Sequence, residues 1–172
     1  MEAPENFRFI TSRLLVDEWR SFSEQECSEQ DLVAIVKSIL TPDVTQSLPP
    51  QWQGEYSTER AQSWIDEQNA ESVVLLVVES ATVKPAGFVI LYFESSVDLR
   101  LGYMLHKSYW GHGVASELIK GLVQWCRVSK ISSVTGGVSR DNPGSRRVLE
   151  KNGFVLVSET ANGEEELFTL RL

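Results

Sequence analysis

The stretch Gly102-Tyr103-Met104-Leu105-His106-Lys107-Ser108-Tyr109-Trp110-Gly111-His112-Gly113-Val114-Ala115-Ser116 joins a predicted strand to a predicted helix through a turn with two glycines. The first turn of a helix has four backbone N–H groups without an intrahelical partner, and the helix dipole adds about half a positive charge there. Glycine lets the backbone approach a ligand closely. This order of elements predicts an anion site made of main-chain N–H groups. A turn without a ligand is the plainer alternative.

Two nucleotide-binding motifs can be compared with this turn. A Walker phosphate loop requires Gly-Lys-Ser/Thr after its glycines, whereas Gly113 is followed by Val114 and Ala115. A dinucleotide fingerprint requires a third glycine, which would fall at Ser116, and a parallel βαβ unit near the start of a doubly wound sheet, which this order of elements does not resemble. The sequence therefore disfavours a phosphate- or nucleotide-binding domain, which stays a third alternative.

The remaining sequence predicts a series of strands and helices. Apolar runs rich in β-branched residues indicate strands, apolar residues at helical spacing indicate helices, and Asn162-Gly163 indicates a hairpin. We predict strands over Thr11–Trp19, Ser72–Val78, Phe88–Phe93, Leu99–Leu105, Ser132–Ser139, Val155–Thr160 and Glu166–Leu172. We predict helices over Ser28–Leu40, from Ser57 or Thr58 to Ala70, over Val114–Ser129, and from Asn142 to Asn152.

The predicted order of elements is β-α-α-β-β-β-α-β-α-β-β. Pro42 ends the first helix, and Lys84-Pro85-Ala86-Gly87 is typical of a turn. This order indicates the α/β (α+β) class, with a mixed, largely antiparallel central sheet of about seven strands flanked by about four helices. The length of 172 residues predicts a single domain over residues 1–172.

The composition, with 42% apolar and 23% charged residues, is that of a globular protein, and no apolar run approaches the roughly 20 residues of a membrane span. The segment Met1–Glu5 carries acids where a signal peptide has positive charge, so we expect a cytoplasmic protein. A net charge of −8 disfavours nucleic acid as a partner and is compatible with amines. We expect a monomer or a homodimer.

Two segments about thirty residues apart resemble the GNAT family of N-acetyltransferases. Trp110-Gly111-His112-Gly113-Val114-Ala115 resembles the family's Q/R-x-x-G-x-G/A cofactor motif, with Trp110 in place of Gln or Arg. Asn142-Pro143-Gly144-Ser145-Arg146-Arg147-Val148-Leu149-Glu150-Lys151-Asn152-Gly153-Phe154 resembles the N-x-x-S-x-R-V-L-E-K-x-G-F helix of the RimJ/RimL branch of ribosomal-protein N-terminal acetyltransferases. Thr11-Ser12-Arg13-Leu14-Leu15 resembles that branch's opening T-x-R-L-x-L strand, so the resemblance covers nearly the whole chain.

The resemblance implies that acetyl-CoA is the cofactor. In this family the strand before the glycine turn splays from its neighbour, and pantetheine pairs with its backbone. The pyrophosphate accepts hydrogen bonds from the N–H groups of the turn, and the His112 side chain is expected to be exposed. The expected cofactor-binding residues are Met104, Leu105, Trp110, Gly111, His112, Gly113, Val114, Ala115, Ser116 and Asn142. No metal is expected.

The resemblance also implies that an amine attacks the thioester directly in a ternary complex, which leaves Cys27 and Cys126 without a catalytic role. Many family members protonate the leaving thiolate with a tyrosine, and the matching residue here is Leu149. In the RimL-like branch a serine takes over this role, and the matching residue is Ser145, our expected catalytic residue. Capping of the helix is the simpler role for both Ser145 and Asn142.

The sequence offers no evident general base. Arg100 occupies the position where many relatives have an acid, Glu94 and Asp98 lie in a predicted turn, and Glu55 and Glu59 precede the second helix. A lysine amine has a pKa near 10.4 and an α-amine one near 8, so neutralising the lysine costs about 3 kcal/mol more. A site without a strong base therefore favours a peptide or protein N-terminal α-amine, as in RimJ/RimL-like enzymes, or a small weakly basic amine.

A non-catalytic module that binds acyl-CoA is the alternative function. Leu149 and Arg100 stand where many family members have the catalytic acid and base. Such a module would bind the cofactor without turnover on any amine.

Overall fold

The computed structural model describes residues 4–172. The first three residues of the segment that was compared with a signal peptide lie outside this range. One sheet contains eight strands in the order β1-β2-β3-β4-β5-β6-β8-β7. The strands are β1 (Phe9–Ile10), β2 (Leu14–Glu18), β3 (Val73–Glu79), β4 (Lys84–Phe93), β5 (Asp98–Leu105), β6 (Ser133–Ser139), β7 (Val155–Glu159) and β8 (Glu165–Arg171). The helices are α1 (Leu32–Ile39), α2 (Pro42–Thr45), α3 (Thr58–Glu71), α4 (Val114–Val128) and α5 (Pro143–Lys151).

Neighbouring strands are antiparallel except for β5 and β6. A parallel pair needs a long crossover connection, and α4 supplies it. The predicted fold class is therefore confirmed, with one more strand and one more helix than expected. Within residues 4–172, no helix is both long and apolar enough to cross a membrane.

Two boundaries differ from the prediction, and one agrees with it. The first predicted strand is wrong over Thr11–Arg13, because Thr11 closes a turn: its N–H donates to the Leu14 carbonyl at 2.9 Å. The helix predicted from Ser28 begins only at Leu32, because the Asp31 side chain accepts from the N–H of Val33 and caps it there. Pro42 ends α1 as predicted, and it also opens the short helix α2.

The turn predicted over residues 84–87 is wrong, because this segment is the first part of β4. The register of β3 and β4 shifts between Val77 and Val78, so that Val78 pairs with Pro85. A bulge of this kind tolerates a proline inside a sheet, since the ladder is interrupted at that point.

An apolar layer covers each face of the sheet. On one face α4 and α5 contribute Leu118, Ile119, Leu122 and Leu149 to a cluster with side chains of β2 to β6 and β8. On the other face α1 and α3 contribute side chains such as Ile35, Trp64 and Ile65. The two layers hold β5 from both sides, and β5 leads directly into the glycine turn.

β5 and β6 separate halfway along their length. They pair from Asp98 with Ser133 to Leu101 with Gly136 and no further. Beyond this point β5 continues to pair with β4, and β6 continues to pair with β8. Leu149 of α5 packs at the branch, since a Cβ on Gly136 would lie only 3.2 Å from Leu149 Cδ1. The result is a wedge-shaped opening between residues 102–105 and 137–139.

The segment between β1 and β2 is bound to the first turn of α4. The Thr11 hydroxyl and the backbone N–H of Arg13 both donate to Glu117 Oε1 at 2.7 Å, and Arg13 Nε donates to Glu117 Oε2 at 2.7 Å. Arg13 Nη1 also donates to the carbonyl of His112 at 3.1 Å. Partial burial opposes ionisation of Glu117, but these hydrogen bonds outweigh it and hold the pKa of Glu117 below its usual value.

β4 and β5 approach each other closely at Gly87. A Cβ on Gly87 would lie 2.1 Å from the carbonyl oxygen of Met104, a backbone atom that cannot rotate away. A Cβ on Gly102, in the paired strand, would meet only Ile90 Cβ at 3.9 Å. The two glycines of this strand pair therefore differ in how much space surrounds them.

We expect Gly87→Ala to lower the melting temperature strongly and Gly102→Ala to change it little. The first variant must push β5 away from β4, and overpacking of this kind costs roughly 1–3 kcal/mol or more. For a chain of this size, each kcal/mol corresponds to roughly 2–4 °C. Thermal unfolding followed by circular dichroism measures both variants, and equal melting temperatures would show that the approach at Gly87 relaxes without cost.

We expect Glu117→Gln to destabilise the protein by roughly 1–2 kcal/mol at neutral pH, because three hydrogen bonds lose a charged acceptor. A lowered pKa in the folded state gives stability that is present above the unfolded pKa of about 4.3 and is lost as the pH falls through the folded pKa. The gap in melting temperature between the wild type and the variant should therefore be constant above about pH 5.5 and shrink toward pH 3. A gap that is the same at pH 7 and pH 3 would contradict the ionic role of Glu117.

Candidate active site

The glycine turn follows β5 through a short 3₁₀ turn over Lys107–Tyr109. Gly111 and Gly113 both have φ of 75°, a left-handed conformation that favours glycine. No atom lies within 4 Å of a Cβ placed on Gly111, and at Gly113 such a Cβ would meet only Arg13 Nη2, at 3.8 Å. The glycines therefore keep one side of the turn open to a ligand.

The backbone N–H groups of residues 111–116 are available to bind an anion. None of them donates a hydrogen bond to any residue in the range 4–172. Gly113 is the N-cap residue of α4, a helix of 15 residues, so the positive end of the helix dipole lies at the same place. These features give the turn the properties that the sequence predicted for an anion site.

The side chains around the turn are mostly packed in the core, hydrogen-bonded to another element, or exposed. His112 is exposed, and Val114 is buried in the core of the α4 face. Ser116 contacts α5, because Asn152 Nδ2 lies 3.4 Å from both its carbonyl oxygen and its hydroxyl. Ala115 is half-buried, and it packs against the same core. The contribution of the turn to a ligand is therefore made mainly by its backbone.

Trp110 connects the turn to the end of β5. Its indole Nε1 donates to the carbonyl oxygen of Leu105 at 2.9 Å, although the residue is 43% exposed. The pairing of β4 and β5 shows where this carbonyl points. His106 N–H donates to the Ala86 carbonyl, so alternate residues of β5, among them Met104, exchange hydrogen bonds with β4. The backbone groups of Leu105 therefore face the opening.

The same alternation applies along the opened part of β5. Tyr103, like Leu105, lies opposite β4 in a non-hydrogen-bonded pair, so its N–H and carbonyl face β6 where β6 has moved away. Met104, which the sequence singled out, has its backbone committed to Phe88 and its side chain buried on the α3 face. The free backbone groups of the opening are therefore the N–H and carbonyl of Tyr103 and the N–H of Leu105, since the Leu105 carbonyl accepts from Trp110 Nε1.

Ser145 lies across the opening from β5. Its hydroxyl oxygen is 2.6 Å from the hydroxyl oxygen of Tyr103. Its backbone N–H donates to Asn142 Oδ1 at 3.2 Å, so Asn142 is the residue whose side chain caps α5. The Ser145 side chain is therefore not the cap, and it contacts the strand that borders the opening instead.

The titration of nearby groups supports these assignments. Burial raises the pKa of Tyr103, although the hydrogen bond with Ser145 acts in the opposite direction, so Tyr103 is protonated at neutral pH. Leu149 is 1% exposed, and its aliphatic side chain cannot act as a proton donor. Burial raises the pKa of Cys126 to about 12 and also raises the pKa of Cys27, so neither thiol is activated as a nucleophile.

The carboxylates near the sheet edge are engaged elsewhere. Asp98 accepts from Ser133 Oγ at 2.6 Å and from Ser95 Oγ at 2.8 Å, and these hydrogen bonds lower its pKa. Arg100 is exposed and lies 3.8 Å from Glu94. The lowered pKa makes Asp98 a weak base, in line with the sequence, which showed no evident base.

Sequence reasoning missed two contacts at this site. It did not find the Tyr103–Ser145 hydrogen bond, because 42 residues separate the partners and only the fold shows that they meet. It also did not find the hydrogen bonds from Thr11 and Arg13 to Glu117. Thr11 and Arg13 lie in the segment that resembles the family's opening strand, and Glu117 lies in a predicted helix. No local pattern indicates the second contact, because more than a hundred residues separate Thr11 and Arg13 from Glu117.

Solved structures share this architecture. A GNAT-family acetyltransferase from Bacillus anthracis superposes with a TM-score of 0.75 at 16% identity, over 96% of this chain and 98% of that chain. A ribosomal-protein-S5-alanine acetyltransferase from Vibrio fischeri gives a TM-score of 0.61 at 14% identity, over 96% of both chains. RimL, a ribosomal L7/L12 α-N-protein acetyltransferase in complex with coenzyme A, gives 0.67 at 21% identity, over 95% of this chain and 97% of that chain. At these low identities, the superpositions establish a shared fold.

The sequence comparisons define the family. No curated protein matches the chain in sequence. The profile of the family described as "Acetyltransferase (GNAT) domain" matches residues 25–155, which is well over half of the chain. This range contains β3 to β6, the glycine turn and both α4 and α5. The chain therefore belongs to the GNAT acetyltransferases, enzymes that transfer the acetyl group of acetyl-CoA to an amine.

Proposed function

We propose that the enzyme acetylates the α-amine at a peptide or protein N-terminus, or a small weakly basic amine, as a member of the RimJ/RimL-like branch. The observation that carries this proposal is the Tyr103–Ser145 hydrogen bond across the opening between β5 and β6. It supports a serine in the role that a tyrosine at the position of Leu149 fills in other family members. The names of two structural neighbours, which act on ribosomal proteins, agree with this branch.

The residues present fit acetyl-CoA, which supplies the activated acetyl group. The unpaired N–H groups of residues 111–116 would bind its pyrophosphate, and the open space at Gly111 and Gly113 leaves room for it. The N–H and carbonyl of Tyr103 and the N–H of Leu105 would pair with pantetheine in the opening, which revises the expectation for Met104. Asn142 would act on the cofactor only indirectly, by holding the first turn of α5. The continuity of the sheet supports a single domain over residues 1–172.

Ser145 acts as the hydrogen-bond donor to the departing sulfur. The Tyr103 hydroxyl, which burial keeps protonated, can donate a hydrogen bond to Ser145 Oγ, and in that arrangement the Ser145 hydrogen points into the opening. The amine nitrogen forms a bond to the acetyl carbon, and the bond between that carbon and sulfur breaks with its electron pair on sulfur. One proton moves overall from the amine to the sulfur. Ser145 therefore only stabilises the charge on sulfur until that proton arrives.

The state of the carboxylates supports an α-amine as the acceptor. Asp98 is held by two serines with a lowered pKa, and Glu94 is exposed beside Arg100. Neither group is suited to deprotonate a lysine amine, which costs about 3 kcal/mol more to neutralise than an α-amine. An acceptor that is already partly neutral at pH 7 needs no such base.

We expect Gly113→Asp to abolish the stabilisation by acetyl-CoA, whereas Gly113→Asn retains part of it. Asp and Asn have the same shape and tolerate the left-handed conformation similarly, so only the negative charge beside the phosphate site distinguishes them. Ligand at a hundredfold its dissociation constant stabilises a protein by about 2.7 kcal/mol, which here is a rise of several degrees in melting temperature.

The wild type should show that rise with acetyl-CoA and with CoA, but not with ATP. If the Asp and Asn variants lose the stabilisation by acetyl-CoA equally, the size of the side chain at Gly113, and not its charge, prevents cofactor binding. No rise in the wild type with either CoA species would contradict the assignment of the turn.

We expect Ser145→Ala to lower kcat by roughly 100-fold, the effect of removing one hydrogen-bond donor to a developing charge, with little change in KM for acetyl-CoA. Tyr103→Phe keeps the ring and should lower kcat by roughly tenfold, because Ser145 loses the partner that orients it. Steady-state kinetics on an N-terminally free peptide measures both.

Asn142→Ala is the control for capping. It should lower the melting temperature, since a lost cap costs roughly 1 kcal/mol, but it should lower kcat far less than Ser145→Ala, which also removes the partner of the Tyr103 hydroxyl. An unchanged kcat and a lowered melting temperature in Ser145→Ala would show that Ser145 has a structural role and no catalytic one.

A further inference from the structure

The indole of Trp110 closes one end of the β5 edge that borders the opening. Its Nε1 donates to the carbonyl oxygen of Leu105 at 2.9 Å, and this carbonyl faces the opening. The residue is 43% exposed, so water is available to the indole N–H as an alternative partner. The hydrogen bond therefore places an aromatic side chain at a backbone group that the opening would otherwise offer to a ligand.

The backbone on both sides of Trp110 is held in place. Its N–H donates to the Lys107 carbonyl at 3.0 Å, in the 3₁₀ turn that follows β5. Before it, the Tyr109 ring packs against the core, and the Tyr109 hydroxyl donates to Glu79 Oε2 at 3.1 Å. After it, Gly111 begins the left-handed part of the glycine turn. The fold therefore directs the indole towards the end of β5.

The edge of β5 along the opening has carbonyl oxygens at Tyr103 and at Leu105. Both face away from β4, in the direction from which a ligand lying along β5 would approach. The two residues are separated by about 7 Å along the strand. A ligand amide that could choose between these carbonyls would take either of two positions about 7 Å apart. Because the indole N–H occupies the Leu105 carbonyl, the Tyr103 carbonyl is the acceptor that remains.

This choice matters for the pantetheine arm of acetyl-CoA. The arm carries amide N–H groups along a flexible aliphatic chain, so the chain itself does not fix which strand carbonyl they reach. The reacting thioester lies at the end of the arm. A shift of about 7 Å along β5 would move the thioester away from Ser145, whose hydroxyl oxygen lies 2.6 Å from that of Tyr103. A misplacement of only about 1 Å can cost a factor of roughly 100 in rate.

We propose that Trp110 is a positioning residue that sets the register of the pantetheine arm along β5. By occupying the Leu105 carbonyl, the indole leaves the Tyr103 carbonyl as the acceptor for the arm and so keeps the thioester beside Ser145. This inference rests on the proposed binding of acetyl-CoA at the glycine turn and in the opening. It does not depend on which amine is the acceptor, because Trp110 acts by excluding an unproductive complex with the cofactor.

The first test is the Trp110→Phe variant, which keeps an aromatic ring and removes the N–H, so that the Leu105 carbonyl becomes available to the arm. A second, unproductive way of binding lowers kcat and KM for acetyl-CoA by the same factor and leaves kcat/KM unchanged, because the productive complex is not altered. We expect this factor to be roughly threefold to tenfold, the effect of one neutral hydrogen bond. Steady-state kinetics on an N-terminally free peptide measures it.

Calorimetry with CoA gives a second measurement, which does not depend on turnover. The additional way of binding should make CoA bind to Trp110→Phe roughly threefold to tenfold more tightly than to the wild type. If Trp110 only supported the turn or contacted the cofactor, its replacement would weaken the binding of CoA instead.

Two further variants locate the effect. Trp110→Gln restores an N–H donor at the same number of bonds from Cα as the indole nitrogen, so it should return kcat and the affinity for CoA close to those of the wild type. Trp125→Phe is the matched control, because Trp125 Nε1 also donates to a backbone carbonyl, that of Asn6, at 3.0 Å, and the ring stacks on Phe7 outside the opening. It should lower the melting temperature and leave kcat, KM and the affinity for CoA unchanged.

The outcomes separate this inference from the proposed function. Unchanged kcat and KM in Trp110→Phe, or a lowered kcat/KM together with weaker binding of CoA, would overturn the register assignment and leave the proposed acetyl transfer intact. If the wild type binds CoA but acetylates no peptide, the choice of acceptor fails, and calorimetry on Trp110→Phe still decides the register assignment. No binding of CoA by the wild type would overturn both.

Discussion

The site depends on the end of one parallel strand pairing. β5 and β6 share four residue pairs and then part, and the backbone groups of β5 beyond Leu101 have no neighbouring strand on that side. Strands of a sheet normally satisfy these groups along their whole length, since unpaired backbone polar groups are costly when they are buried. Here α5 keeps the strands apart, because Leu149 packs onto Gly136 at the branch and Ser145 contacts Tyr103 further along. The opening is therefore a property of core packing as much as of the strands themselves.

The glycine turn is positioned from outside the segment that forms it. The carboxylate of Glu117 joins the first turn of α4 to Thr11 and Arg13, residues more than a hundred positions earlier, and Arg13 also reaches the carbonyl of His112. These bonds fix the carbonyl side of the turn, and the N–H side stays open. A backbone site of this kind needs such support, because its precision cannot come from the side chains of the turn.

The sequence predicted the elements that carry strong local signals. The glycine turn, the amphipathic α4 and the Asn142 cap were all placed correctly, because each is determined by residues within a few positions of one another. Prediction failed at Thr11–Arg13 and at residues 84–87, where a turn and a bulge depend on how neighbouring strands pair. Tyr103 was not singled out for the same reason, since the register of β4 and β5 decides which backbone groups face the opening.

The pairing of Arg13 with Glu117 has a consequence for how the enzyme responds to ionic strength. The cation nearest the glycine turn is already neutralised by a carboxylate at 2.7 Å, so the turn itself carries little net charge. Attraction for an anion then comes from N–H dipoles in direct contact with it, and contacts this short are hardly affected by a Debye length of about 10 Å at 0.1 M salt. The rest of the chain has a net charge of −8 and repels an anionic cofactor over longer distances, where salt does screen. With the cofactor at this turn, as proposed, we expect a response to salt unlike that of sites built on free lysines and arginines: added salt weakens the repulsion more than the attraction.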